Sequence, residues 1–206
     1  LASASASEPW TREWIDEIWQ THLLQRGEAL AGSGALEEAY FRDALRADPK
    51  SAAAVELLVN YYGSTGEPML AAGAALYGRL LAPESPLWTD ALERARDATR
   101  GAPAEPADEA ARAAYEAGLK AMLEQVQAGQ LMLAEIEVRR LLTRFPRDPR
   151  LLENLVTFAR LSGERAMQAI FGLALEDAGG AKPEWAALLD PLLKDLGVAR
   201  PRESQP

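Results

Sequence analysis

Residues 31–88 of this 206-residue chain align without a gap on residues 128–185, an offset of 97. Sixteen of the 58 aligned positions are identical. They include residues that regular structure tolerates only in special places: Gly32/Gly129, Pro49/Pro146, Gly66/Gly163, Pro86/Pro183 and Trp88/Trp185. Charged residues also recur at the same offset, as Glu38/Glu135, Arg42/Arg139, Glu56/Glu153 and Glu67/Glu164. An alanine-rich chain produces chance alanine matches, but not matched Gly, Pro and Trp in one register. The expectation is a tandem duplication of a module of about 97 residues.

The residue types say what each copy is made of. The chain has 40 Ala and 31 Leu against 6 Val, 4 Ile and 7 Thr. Alanine and leucine are the residues most easily placed in a helix, whereas β-branched residues favour strands. The expected fold class is therefore all-α. Start and stop signals place helices near 9–31, 34–47, 52–63, 67–81 and 86–100, then 107–128, 130–145, 149–161, 164–177 and 183–196. Ser85-Pro86 and Asp148-Pro149 pair an N-cap side chain with proline at the first helical position. Ser51 and Ser162 read as further N-caps, and Gly101 and Gly197 as left-handed C-terminal residues. Pro191 is expected to kink or split the last helix. The predicted organisation is a disordered 1–8, a five-helix module over 9–100, a linker over 101–107, a second module over 108–198 and a disordered tail over 199–206.

A shorter period lies inside each copy. Gly32 to Gly66, Pro49 to Pro83 and Gly129 to Gly163 are each 34 residues apart, the length of a helix-turn-helix repeat. Leu24, Phe41, Ala44 and Pro49, then Leu58, Tyr62, Ala71 and Pro83, occupy the positions that the tetratricopeptide repeat family favours. Ala134, Pro146 and Leu155 continue the pattern. Over 18–83 and 115–180 the chain thus resembles that family, as a helical-repeat solenoid of two similar five-helix modules. It departs where the family has a small residue in the first helix of each repeat, with Gln25, Val59, Met122 and Val156 instead. Stacked repeats need caps; helices 86–100 and 183–196 fill that place, with Trp88 and Trp185 as buried cap anchors.

The resemblance implies protein binding. First helices of successive repeats would line a concave groove for a partner peptide or helix. Carried onto this chain, the groove positions are Trp19, His22, Arg26, Glu56 and Asn60 in the first copy. In the second they are Glu116, Leu123, Arg150, Glu153, Thr157 and Arg160. The Lys/Asn set with which some members clamp a C-terminal carboxylate is not reproduced. Residues 139–165 hold seven Arg against three acids, a net +4. That stretch reads either as a solvated helical face or as an anion-recognising surface. Arg150 and Arg160 at its groove positions would suit an acidic ligand segment.

Other chemistry is sparse. A net charge of −9 disfavours a nucleic-acid surface. With no Cys and one His there is no disulfide, no thiolate and no multi-His metal site. His22 lies beside Leu23 and Leu24, with no Gly-x-Ser-x-Gly elbow anywhere in the chain. Gly32-Ser33-Gly34 and Gly179-Gly180-Ala181-Lys182 complete no phosphate-loop pattern. No enzyme, no cofactor, no metal and no membrane span are expected. Trp10, Trp14, Ile18 and Trp19 form a stripe that reads either as core or as an exposed docking patch. The start at Leu1 and the small polar Ala2–Ser7 read as a detached leader or anchor, or as an added segment. Together with an Ala/Arg/Leu-rich bacterial composition, this leads to the expectation of an envelope, secretion or maturation complex, with the cytoplasm as the alternative. Two rival roles remain open at this point: a self-associating structural protein, and a docking domain of a larger enzyme.

Overall fold

The structure is a computed structural model that describes residues 35–180 and 183–198. Among the described residues it is all-α, with nine helices. They are α1 (Ala35–Ala47), α2 (Ala52–Ser64), α3 (Pro68–Leu81), α4 (Pro86–Ala98), α5 (Glu109–Gln127), α6 (Leu131–Leu142), α7 (Pro149–Leu161), α8 (Arg165–Asp177) and α9 (Pro183–Asp195). The expected helix over 9–31 and both terminal segments lie outside the described residues. The chain divides into two compact units, 1–40 and 41–206. The first is described only where α1 begins; everything below concerns the second.

Helix boundaries follow from local chemistry. Ser51 caps α2 by accepting from the Ala54 amide, and Asp148 caps α7 by accepting from the Arg150 amide ahead of Pro149. Ser85 holds the N-cap position of α4 without a side-chain bond. Gly66 and Gly163 close α2 and α7 with φ of +75° and +71°. Each lets the next amide reach back five residues, Glu67 to Tyr62 and Glu164 to Ala159. Two expectations are corrected here. Ser162 does not open a helix; it is the C-cap of α7, because left-handed Gly163 follows it. Of the two effects expected of Pro191, a kink or a split, the split is absent, since α9 runs unbroken through it. The bounds of α2 and α7, and of α4 and α9, recur 97 residues apart at both ends.

Two helices are apolar nearly all round, the mark of a core helix. They are α3, buried from Met69 to Ala75, and α8, buried from Ala169 to Leu175. α3 lies between α2 and α4, and α8 is packed by α7 and α9. The two three-helix groups meet through the most extensive helix pairing among the described residues, α3 on α8. A plain end-to-end stack would have joined them through chain neighbours, α4 to α5, which is not among the closely packed pairs of described helices. α6 leans on α7, and α5 on α6. Small side chains make the central crossing close. An added Cβ at Gly73 would lie 2.8 Å from Ala174 Cβ and overlap the carbonyl oxygen of Ile170.

That crossing separates two glycines that look alike in sequence. Gly63 sits in α2 with nothing within 4 Å of an added Cβ. Gly63→Ala should stabilise by about 0.5 kcal/mol through helix propensity. Gly73→Ala gains the same propensity but must push a backbone oxygen away, so it should destabilise by about 1–3 kcal/mol. Urea midpoints that move in the same direction for both variants would contradict the close crossing.

Candidate functional site

The sequence places the candidate groove on alternate helices. In the described part these are α2, and then α5 with α7. Because α5, α6 and α7 are joined by short turns, α5 and α7 run the same way. Their starts are pinned together. Tyr115 of α5 donates its hydroxyl to Asp148 Oδ2 at 2.6 Å, with Asp148 completely buried. Burial first, and this hydrogen bond second, push the Tyr115 hydroxyl well above its ordinary range, so it stays a donor. Phe145 meets the Tyr115 ring edge-on at 5.5 Å.

Arg150 completes this cluster. Its Nε lies 3.3 Å from Asp148 Oδ1, a terminal nitrogen lies 3.8 Å from Glu105, and the guanidinium stands 5.4 Å over the Tyr115 ring. The hydrogen bond to Asp148 is the main reason its pKa rises further. Arg150 therefore already serves two carboxylates, one of them from the segment between α4 and α5. Further along α7, Glu153 and Thr157 are half-buried, and the Thr157 hydroxyl donates to the Glu153 carbonyl. Arg160 is exposed at the end of the helix beside Leu161, which is 60 % exposed. On α5, Glu116 and Leu123 reach solvent. On α2, Glu56 and Asn60 are both exposed, one turn apart. Trp19, His22 and Arg26, like the stripe of Trp10, Trp14 and Ile18, lie outside the described residues.

The basic stretch over 139–165 is largely spoken for. Arg139 pairs with Glu67, Arg140 with Glu137, Arg150 with Asp148, and Arg165 with Asp195. It is not one open cationic face.

The two tryptophan anchors differ. Trp88 is buried, its ring laid on the backbone of α3 so closely that a Cβ on Gly78 would meet it at 2.5 Å. Trp185 is only partly buried, which corrects the expectation of two equivalent anchors. The residue 97 positions after Gly78 is Leu175, so the glycine under the first ring has no glycine counterpart in the second copy. Trp185 instead lines an open apolar groove with Val156, Gly172, Leu188 and Leu192.

Sequence reasoning missed a second set of residues. Arg42 of α1 reaches Glu135 of α6 and Glu164 at the start of α8; Arg139 of α6 reaches Glu67 at the start of α3. All are at most 15 % exposed. The signal was present, since Arg42/Arg139 and Glu67/Glu164 were among the few charged identities in the 97-residue alignment.

Among the described residues, no group of three or more His, Cys, Asp or Glu gathers to hold a metal ion, and no helix is long and apolar enough to cross a membrane. Compared with protein-family models, with curated proteins and with solved structures, the chain matches none.

Proposed function

We propose that this chain is a non-enzymatic binding scaffold of tetratricopeptide-like build. Its two modules, over 9–100 and 108–198, would offer surface to a partner peptide or helix. The observation that carries the reading is a matched pair of outward rows. Glu56 and Asn60 on α2, and Glu153 and Thr157 on α7, occupy equivalent places on helices whose bounds recur 97 residues apart. The opposite faces of both helices are buried core. A helix so placed is held by its apolar side, with Glu56 and Asn60 exposed, and Glu153 and Thr157 part-exposed, on the other. Because Arg150 is engaged by Asp148 and Glu105, Arg160 is the cation proposed to meet an acidic ligand segment first, with Leu123 and Leu161 as apolar contacts. The cellular setting proposed is a bacterial multi-protein complex at the envelope.

A photo-cross-linking amino acid placed singly at Asn60, Leu123 or Arg160 tests this in cells that express the chain naturally. These positions should each give a discrete protein adduct, and exposed Arg94 on α4 should give none. No adduct from the inner positions, or equal adducts from Arg94, would reject the groove.

A further inference from the structure

The contacts between the two halves of the second unit are reciprocal. Arg42 of the first half carries its guanidinium across to Glu135 and Glu164 of the second, with Nη1 3.1 Å and 3.0 Å from their carboxylates. Arg139, 97 residues later, carries its guanidinium back to Glu67, the counterpart of Glu164. Each arginine also lies over an aromatic ring of the opposite half. Arg42 stands 5.7 Å over Phe171, and Arg139 stands 5.4 Å over Tyr62. At the centre, Gly73 of α3 meets Ile170 of α8, and these two residues are themselves 97 apart.

A residue that touches its own counterpart, flanked by contacts exchanged in both directions, is the signature of a two-fold interface. Here that interface is closed inside one chain. α4 and α5 are not a closely packed pair, so the joint is not held by its connection. The segment from Thr99 to Asp108 can span up to about 33 Å when extended.

We propose that the α3–α8 joint is a self-complementary surface whose further partner is a second copy of this chain. Two chains exchange halves, so that 41–98 of each docks on 109–198 of the other.

The test uses full chains with the crossing charges reversed in one half at a time. Chain P carries Arg42→Glu and Glu67→Arg. Chain Q carries Glu135→Arg, Arg139→Glu and Glu164→Arg. Each alone sets like charges against like across its joint. Together they restore opposite charges in both joints of an exchanged pair; Arg46, which also reaches Glu164, is half exposed and can turn to water. Unfolded and refolded as a mixture, P and Q should give a species of twice the chain mass containing both, with a higher melting temperature than either alone. A single chain carrying all five substitutions restores opposite charges within itself and should fold. If that chain folds and the mixture yields no mixed dimer, the proposal is overturned. If the five-fold chain does not fold, the parent decides. After unfolding and refolding at rising concentration, a growing dimer fraction supports the exchange, and monomer throughout overturns it.

Discussion

Arg42→Ala should destabilise the protein by about 3–5 kcal/mol, the cost of leaving buried carboxylates without their cation. Glu135 and Glu164 would lose that partner with side chains only 12 % and 11 % exposed. Arg46 is no replacement, because of these two carboxylates it reaches only Glu164, it is already paired with Asp43, and it is itself 48 % exposed. Arg46→Ala should therefore cost under about 1 kcal/mol, as exposed pairs do. Arg139→Ala should resemble Arg42→Ala, since it strands Glu67, 5 % exposed. Replacing Arg42, Glu135 and Glu164 together by methionine should recover most of the loss, because no charge is then left buried. Urea denaturation of these variants separates the cases. Equal midpoints for Arg42→Ala and Arg46→Ala would mean that the crossing pairs are solvated and structurally idle.

Trp88→Ala should be comparably severe, at about 3–5 kcal/mol, as expected for removing a buried aromatic side chain. In a chain of this size that corresponds to a fall in melting temperature on the order of 10 °C. Trp185→Ala should cost clearly less, since part of that ring already faces water. Trp88→Phe is the informative third variant. Trp88 Nε1 is buried and meets no acceptor among the described residues, a penalty of about 1–3 kcal/mol that phenylalanine removes. Phenylalanine should therefore be tolerated far better than alanine. If calorimetry gives Trp88→Ala and Trp185→Ala the same melting temperature, the difference in burial between the two rings does not set their cost.

Much of the secondary structure was legible because each boundary is decided by a few adjacent residues. Ser51, Asp148-Pro149, Gly66 and Gly163 act through hydrogen bonds spanning at most six positions. Ser162 was misread for the same local reason, as a serine beside a glycine fits either end of a helix until the glycine's φ is known. The joint between the halves was harder. An alignment at an offset of 97 says which residues are alike, not which ones touch, and in a plain stack α3 and α8 would not meet. Within the candidate groove, the outward placement of Glu56 and Asn60 follows from helical periodicity, whereas the engagement of Arg150 rests mainly on Asp148, itself bonded to Tyr115 of α5, 33 residues away, a contact that no periodicity describes. Trp88 and Trp185 show the limit of identity. Two identical residues sit differently, Trp88 buried against Gly78 and Trp185 only partly buried, in surroundings that the alignment does not repeat.

The pairing of α3 with α8 also governs how the protein emerges from the ribosome. In a repeat array whose contacts are all between neighbours, each unit is covered as soon as the next is made. Here the apolar surface of α3 is matched by a helix that begins 97 residues later. At translation rates of 5–20 residues per second, that surface waits about 5–20 s for its partner. During that interval the face of α3 that α8 covers has no such cover, and faster translation over 82–165 would shorten its exposure.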